Sequence, residues 1–384
     1  MTQPVYLDFN ATTPLDSEVL EAMKPFIEQE FGNPSSTHWF GIAPKRAINK
    51  ARAQVAEILN CEPAEIIFTS GGTESNNHAI IGTAQSLKHK GNHIITTEIE
   101  HPAVSNVCSH LESHGFSITH VAVDEDGLVS TSDIERAITQ ETILITVMHA
   151  NNEVGTIEPI EKIAQVAGKR GIIFHTDAAQ SVGKIATDVK SLGVDLLSIA
   201  GHKLYAPKGV GALYIRKGIG PNIFMHGAGQ EMGKRAGTEN VPGIVGLGKA
   251  CEVAMRDFDI NLARMKKTRD ALLKGFQQDW SDLRRNGHPE KVLPNTLSVS
   301  FKGLEANRIL EEIGLEIAAS AGAACHSDLV EISHVLLAMG LPKHWAKGTI
   351  RFSTGKITSD KDIEKAVSLT LEALKKLARE KVNH

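Results

Sequence analysis

Apolar positions follow two different spacings over the first two thirds of the chain. Short apolar runs of strand character recur between stretches with the three- to four-residue spacing of amphipathic helices. The runs predict seven strands, near residues 66–69, 93–97, 117–123, 143–148, 172–176, 194–200 and 210–215. Helical spacing predicts helices before and between them, at 17–29, 42–59, 70–87, 102–114, 131–140 and 159–170. This alternation indicates an α/β fold with a mostly parallel seven-stranded sheet covered on both faces.

The last third of the chain follows another pattern. A long helical pattern from about Pro242 to Phe276 leads out of the alternating region. Beyond it, strands are predicted at 296–301 and 348–353, and helices at 305–313, 329–339 and 359–380. Because 384 residues exceed one ordinary core, we expect a large domain over 15–255 and a smaller α+β domain from 1–14 and 256–384. The extended arm at 5–15 is expected to pack on the smaller domain.

Two of the predicted strands end in a side chain that can do chemistry. Asp177 follows the apolar run at 172–176, and Lys203 follows the run at 194–200. Ligands of open α/β sheets bind outside the carboxyl ends of the strands, so we expect both side chains in one crevice. A lysine that forms a Schiff base and an acid that keeps a pyridine nitrogen protonated together suit pyridoxal 5′-phosphate (PLP). The alternative is a surface lysine and a turn aspartate without a common role.

Three further stretches could complete such a site. Ser70–Thr73, between a strand and a helix, could place backbone N–H groups and a helix N-terminus around a phosphate, although many βα turns are rich in glycine. His101 could stack on a pyridine ring and exchange protons, although a lone histidine is more often structural. Asn151 or Asn152 could donate to the ring hydroxyl oxygen, and the alternative is a turn amide.

Two residues of the last third are candidates for handling the substrate. Cys325 follows the small residues 319–324, which suit a mobile loop, and His326 beside it can favour the thiolate. The alternative for any single cysteine is a buried structural role. Arg351 ends a predicted strand, and its planar fork could bind the carboxylate of an amino acid, the alternative being a surface ion pair.

Composition narrows the class of protein. A formal net charge of −4 gives no basic field for nucleic acid, and no apolar run reaches the ~18 residues of a membrane span. The first residues show no signal-peptide pattern. The four cysteines lack paired spacing, which favours a reducing cytosol over a disulfide framework or a zinc site. We therefore expect a cytoplasmic protein without a metal site and without a membrane or nucleic-acid partner.

With these residues in place, the chain resembles the cysteine desulfurases of the NifS/IscS type, which have the PLP-dependent transferase (aspartate aminotransferase-like) fold of the class-V aminotransferases. The resemblance runs nearly end to end. It rests on Tyr6–Asp8, Asn10–Pro14, Gly32–Pro34, Phe68–Ser75, Glu100–His101, Asn151–Glu153, Asp177–Gln180, Gly201–Lys203, Gly229–Glu231, Gly237–Thr238, Leu293–Thr296 and Arg351–Ser353.

The resemblance implies a role for each motif residue. Lys203 carries PLP, Asp177 pairs with the pyridine nitrogen, and His101 stacks on the ring. Gln180 and Asn152 contact the ring hydroxyl region. The phosphate is held by Gly72, Thr73, His202 and Thr238, the last reaching the site of a partner subunit in a homodimer. Arg351, with Asn152 beside it, binds the substrate carboxylate, and Cys325 accepts sulfur.

Two positions depart from the family pattern. Ala200, in the phosphate region of the cofactor site, stands where many members have a serine that contacts the phosphate, so one hydrogen-bond donor is missing. The cysteine segment Gly322–Ser327 is similar to that of selenocysteine lyases, which share the fold. The second departure leaves open whether cysteine or selenocysteine is preferred.

The resemblance implies a sulfurtransferase. It converts L-cysteine to L-alanine, leaves sulfur as a persulfide on Cys325, and passes it to acceptors such as an iron–sulfur scaffold protein. A selenocysteine lyase acting on L-selenocysteine is the first alternative. The second is a non-catalytic scaffold of a sulfur-transfer complex, against which the presence of Lys203, Asp177 and Cys325 argues.

Overall fold

The computed structural model describes residues 4–326 and 329–382, with side chains described for 4–322 and 332–381. Its α-helices are α1 (Ser17–Glu28), α2 (Trp39–Leu59), α3 (Gly72–Leu87), α4 (Pro102–Glu112), α5 (Thr131–Ala137), α6 (Ile160–Lys169), α7 (Val189–Leu192), α8 (Val241–Arg256), α9 (Phe258–Asp279), α10 (Ala306–Ile313), α11 (His334–Ala338), α12 (Lys343–Ala346) and α13 (Asp360–Val382). Its strands are β1 (Val5–Tyr6), β2 (Ile66–Thr69), β3 (His93–Thr97), β4 (Ser117–Val121), β5 (Thr142–Thr146), β6 (Ile173–Asp177), β7 (Leu196–Ala200), β8 (Gly211–Ile215), β9 (Leu283–Asn286), β10 (Thr296–Phe301), β11 (Ile317–Ala318), β12 (Ser320–Ala321), β13 (Ala323–His326), β14 (Leu329–Ile332) and β15 (Thr349–Ser353).

The central sheet has seven strands in the order β2-β8-β7-β6-β5-β3-β4. Its strands from β7 to β4 pair in parallel, whereas β8 is antiparallel to both β7 and β2. The predicted mostly parallel α/β sheet is therefore confirmed. Because β6 and β7 are parallel neighbours, their carboxyl ends lie side by side.

Helices cover both faces of this sheet, as its fully buried strands require. On one face α2 and α8 pack through residues such as Val55 and Leu247. On the other face Ile80 of α3 and Val104 of α4 form a second buried cluster with β3 and β5. Among the described helices, none combines the length and the apolar character that a bilayer crossing needs.

A smaller antiparallel sheet, in the order β12-β15-β10-β9, has a separate buried cluster with α9, α10 and α13. The N-terminal arm joins this part, as predicted, because β1 pairs in parallel with β11 and Asp8 forms a bridge with Ser353. The expected division at residues 15 and 255 stays a prediction; a further buried cluster crosses it, where Met148 and Val154 pack with Val335 and Leu336.

Two predicted helices are wrong in extent. The long helix near 242–276 is broken at Asp257 into α8 and α9, because α8 packs on the central sheet while Leu272 and Phe276 of α9 pack in the smaller cluster. The predicted helix at 329–339 is helical only from His334 in α11. Its first residues form β14, which pairs antiparallel with β13, and the Ser333 hydroxyl accepts from the Val335 N–H to cap α11.

Candidate active site

A cavity of about 320 Å³ opens at the carboxyl ends of β6 and β7. The predicted site residues that line it are Gly72, Thr73, His101, Asn152, Asp177, Gln180, Ala200, His202, Lys203 and Arg351. Segments far apart in sequence meet here: the N-terminal arm, the start of α3, the start of α4, the loop after β5, the ends of β6 and β7, and β15. The expected crevice with Asp177 and Lys203 therefore exists.

Asp177, the last residue of β6, is held in a fixed orientation. One carboxylate oxygen accepts from the Ala179 N–H at 2.9 Å, and the other accepts from the Asn76 amide at 2.7 Å. Both donors are neutral, so they orient the charge of Asp177 without cancelling it. Asn76, on the first turns of α3, was not predicted from the sequence. Its only signal was its position one helical turn after Gly72.

The Lys203 amine lies against the N-terminal arm. Its Nζ donates to the backbone carbonyl of Asn10 at 2.5 Å and to that of Ala11 at 2.7 Å. Burial lowers the pKa of Lys203 to about 8, Arg351 adds to this shift, and Asp8 and Asp177 oppose it. A useful fraction of the amine is thus neutral near neutral pH, as a nucleophile or a base requires.

His101 precedes α4 and caps it. Its Nδ1 accepts from the Ala103 N–H at 3.0 Å, so the proton of the neutral ring sits on Nε2. Desolvation lowers the pKa of His101, Asp177 opposes the shift, and Lys203 adds to it. The ring is therefore neutral at physiological pH, with one defined tautomer in the wall of the cavity.

The turn before α3 leaves open space at the cavity. Gly71 has a φ of +152°, which favours glycine, and no atom lies within 4 Å of the position where its Cβ would be. A Cβ on Gly72 would lie 3.1 Å from the Cβ of Ala200. The side chain of Ala200 thus faces the start of α3 across a narrow gap, where the helix N-terminus favours an anion.

His202 lines the same side of the cavity. Its Nδ1 pairs with the Thr12 hydroxyl at 3.1 Å. Burial lowers the pKa of His202 to about 4, and the cations around it add to the shift, Lys203 first. A neutral His202 can act as a hydrogen-bond donor or acceptor there.

Arg351 is tied to the N-terminal arm before any substrate arrives. Its Nη2 donates to Asp8 at 2.7 Å and to the Ser320 hydroxyl at 3.0 Å, and its Nη1 donates to the Asn152 carbonyl at 2.9 Å. Its Nε is buried and has no partner among the described residues. Asp8 belongs to a quoted motif, but sequence reasoning gave it no role.

Gln180 and Asn152 meet at Asn10, another residue without a predicted role. The Gln180 amide donates to the Asn10 backbone carbonyl at 2.9 Å, and the Asn10 side chain donates to the Asn152 backbone carbonyl at 3.1 Å. The Asn10 carbonyl that accepts from Gln180 is the one that also accepts from Lys203. Asn10 of the N-terminal arm thus bonds three residues that line the cavity: Asn152, Gln180 and Lys203.

Thr238 and Cys325 do not line the cavity as far as the structure describes it. Thr238 is exposed in the stretch before α8, where the neighbouring Arg235 pairs with Glu74 at 2.8 Å. Cys325 lies on β13 with Val330 as its cross-strand partner, so its backbone is paired with β14, while the expected mobility of this segment stays a prediction. Its side chain lies outside the described part of the structure. No cluster of potential metal ligands occurs in the described ranges.

Comparisons with known proteins agree with this geometry. The class-V aminotransferase family model matches residues 5–366. The chain is 49% identical to "Cysteine desulfurase IscS" of Dictyoglomus turgidum, over 98% of this chain and 96% of that protein. A solved structure named "NIFS-LIKE PROTEIN" is 38% identical with a TM-score of 0.92, covering 98% of this chain and 100% of that chain. Another, "SspA in complex with cysteine", is 37% identical with a TM-score of 0.81, covering 92% and 100%. The chain therefore belongs to the class-V aminotransferase family and, within it, to the cysteine desulfurases of the NifS/IscS type, which confirms the resemblance.

Proposed function

We propose that the protein is a PLP-dependent cysteine desulfurase. In this reaction L-cysteine and the thiol of Cys325 give L-alanine and a persulfide on Cys325. The observation that carries the proposal is the meeting of Asp177, Lys203 and Arg351 in one cavity of a chain from this family. The family is PLP-dependent, and one structural relative was solved in complex with cysteine.

The residues present fit PLP. The cofactor needs an anion site, an amine for its aldehyde and an acid for its ring nitrogen. The start of α3 at Gly72 and Thr73 supplies the first, with unobstructed space beside Gly71 and with His202 as a further donor. Lys203 supplies the amine and Asp177 the acid. The partner subunit's Thr238 is the further phosphate donor that we propose, which makes the working unit a homodimer.

When bound, PLP supplies an electron-accepting ring conjugated to the substrate amine. Lys203 attaches the cofactor and, as a free amine, takes the Cα proton at Nζ; the carbonyls of Asn10 and Ala11 hold this amine in place. Asp177, fixed by Asn76 and Ala179, stabilises positive charge on the ring nitrogen.

The remaining cavity residues orient the cofactor and the substrate. With PLP bound, Gln180 and Asn152 would contact its ring hydroxyl region, and His101, whose proton is on Nε2, would stack on the ring. Arg351 binds the substrate carboxylate, because a guanidinium fork matches it in shape and charge.

The strand position of Cys325 changes how sulfur transfer is expected to work. β13 is paired with β14, and Gly322 before it donates to the Thr349 carbonyl at 2.8 Å. Because β13 is paired with β14 and tied to Thr349 at its base, we propose that Cys325 carries its sulfur only a short distance. The acceptor protein would then bring its own sulfur-accepting group to Cys325. An acceptor such as an iron–sulfur scaffold protein, in the cytoplasm, fits this proposal.

Selenocysteine lyase remains the alternative that the segment Gly322–Ser327 suggests, but the relatives reported above do not favour it. Cys325→Ala separates the two substrates. The variant should stop forming alanine from cysteine, since sulfur leaves poorly without an attacking thiolate, yet keep activity on selenocysteine, whose selenol leaves more easily. Undiminished turnover of cysteine would remove Cys325 from the sulfur-acceptor role.

The proposed function is tested by reconstituting the purified protein with PLP and measuring alanine from L-cysteine under reducing conditions. We expect alanine formation together with a visible absorbance band of bound PLP. Lys203→Ala is the control, and it should lose both signals. A wild-type protein that binds no PLP would contradict the proposal, and it would also leave the non-catalytic scaffold as the better reading.

A further inference from the structure

Lys184 is a second buried lysine beside the active site, and the mechanism above does not use it. It follows β6 by seven residues, and its side chain is only 6% exposed. Its Nζ donates to the Gln180 side-chain oxygen at 2.9 Å and contacts the Asn10 side-chain oxygen at 3.5 Å. Together with Lys203 it also lines a separate, small cavity of about 30 Å³.

A buried amine without a counter-ion contributes little to stability. Within residues 4–322 and 332–381, for which side chains are described, no carboxylate pairs with Lys184, although desolvating an ammonium group is costly. Burial lowers the pKa of Lys184 to about 7, and the cations Lys203 and Arg351 add to the shift. An apolar side chain would fill this volume more favourably, so the contacts of Lys184 suggest a role in the site.

Those contacts fix the orientation of one amide. A protonated Lys184 amine is a hydrogen-bond donor and cannot accept. In that form it therefore selects the oxygen of Gln180 and leaves the Gln180 nitrogen for the opposite side. That nitrogen donates to the Asn10 backbone carbonyl at 2.9 Å. A flipped Gln180 amide would place donors against the Lys184 amine and the amide oxygen against the Asn10 carbonyl.

We propose that Lys184 is a positioning residue for the cofactor, which holds the Gln180 side chain so that its N–H donors face the cavity side occupied by Asn10 and Lys203. The inference rests on the proposed function, since it assigns those donors to an acceptor oxygen on the PLP ring. Lys184 itself touches neither the main cavity nor the reacting atoms.

The first test is an equilibrium titration of the apoprotein with PLP, followed by the visible absorbance of the bound cofactor. Losing one neutral hydrogen bond is worth about 0.5–1.5 kcal/mol, so Lys184→Met should weaken PLP binding roughly 2- to 12-fold. Lys190→Met is the matched control, because Lys190 is exposed and its Nζ donates to the Asn60 side-chain oxygen at 3.2 Å, outside the main cavity. Its affinity for PLP should stay that of the wild type.

A double-mutant cycle separates positioning from charge or general structure. If Lys184 acts through Gln180, then Lys184→Met should have no further effect on PLP affinity in a Gln180→Ala background. An equal loss in both backgrounds would overturn the proposal, since it would mean that the charge or the packing of Lys184 acts directly. No loss from Lys184→Met in the wild-type background would overturn it as well.

Gln180→Glu keeps the test decisive if Lys184→Met fails to fold. This variant keeps an acceptor for Lys184 but removes the N–H donors, so PLP affinity should fall while the apoprotein melts no lower than the wild type. Wild-type affinity in Gln180→Glu would refute the use of those donors. Failure of the wild-type protein itself to bind PLP would instead refute the proposed function, so the two failures are distinguishable.

Discussion

Arg351→Lys tests the assignment of the substrate carboxylate site. The change keeps the positive charge but removes the planar fork. In the structure Nη2 of Arg351 bonds Asp8 at 2.7 Å and Nη1 bonds the Asn152 carbonyl at 2.9 Å, so the guanidinium is positioned in advance. Both Nη2 hydrogens of Arg351 already bond Asp8 and Ser320, so a bidentate pair with the substrate carboxylate would replace one of those bonds, and a lysine, with its single nitrogen, cannot form such a pair.

The expected magnitude follows from the bond that is lost. A hydrogen bond to a charged group contributes about 1.5–3 kcal/mol, and each 1.4 kcal/mol is a factor of ten. Losing one bond of a bidentate pair should therefore lower kcat/KM for L-cysteine roughly 10- to 150-fold. The carboxylate does not react, so it is bound similarly in the ground state and the transition state. The loss should consequently appear mainly in KM.

The assay is alanine formation over a range of L-cysteine concentrations with the PLP-loaded protein. Cysteamine, which lacks the carboxylate and so cannot give alanine, is the second substrate; its turnover is followed as sulfide released under reducing conditions and should fall far less in Arg351→Lys than that of cysteine. Arg264→Lys is the control, since Arg264 is exposed and bonds the Lys356 carbonyl at 2.8 Å, away from the cavity. An unchanged KM for cysteine, or equal losses on both substrates, would refute the carboxylate assignment.

Three further predictions concern the cofactor site and the buried acid beside it. Capture of PLP by the apoprotein needs the neutral Lys203 amine, so its rate, followed by stopped-flow absorbance, should rise with pH and level off above about 8; a rate that keeps rising through pH 9 without levelling off would contradict the lowered pKa of Lys203. Ala200→Ser should tighten PLP binding roughly 2- to 12-fold by restoring one donor, measured by titration, and weaker binding would mean that the gap beside Gly72 is too narrow for a hydroxyl. Burial raises the pKa of Glu100 to about 8, so its stabilising contribution is complete below about 4.5 and is lost as pH rises to 8. Glu100→Gln should therefore gain stability relative to the wild type between pH 5 and 8 in thermal melts, and a difference that does not change with pH would count against a protonated Glu100.

The strand-end argument predicted the centre of the site because it depends on local pattern alone. An apolar run that ends in Asp177 and another that ends in Lys203 can be read along the chain, and parallel pairing of β6 with β7 then brings their ends together. The same reasoning located the turn at Gly72, where a strand ends and a helix begins. Such features need no knowledge of contacts between distant residues.

The partners of these residues could not be predicted in that way. Asn76, Asp8 and Asn10 reach their partners over sequence separations of 101, 343 and 193 residues. Hydrophobic spacing carries no information about which polar side chains pair across such distances. The break between α8 and α9 has a similar origin, because helical spacing continues through Asp257 while the surface that the helix packs on changes.

The N-terminal arm explains how two separate buried clusters can form one site. Through β1 the arm belongs to the part of the chain that holds β11 and β15, and Asp8 ties Arg351 to it. Two and three residues further on, the carbonyls of Asn10 and Ala11 accept from Lys203, at the end of the central sheet. One short segment therefore positions both the group proposed to bind the substrate carboxylate and the amine proposed to take the adjacent proton. Residues 9–11 form a turn that is closed by a hydrogen bond from the Ala11 N–H to the Asp8 carbonyl at 3.0 Å, so the backbone of this turn sets the spacing between the Asp8 carboxylate that holds Arg351 and the carbonyls that hold Lys203.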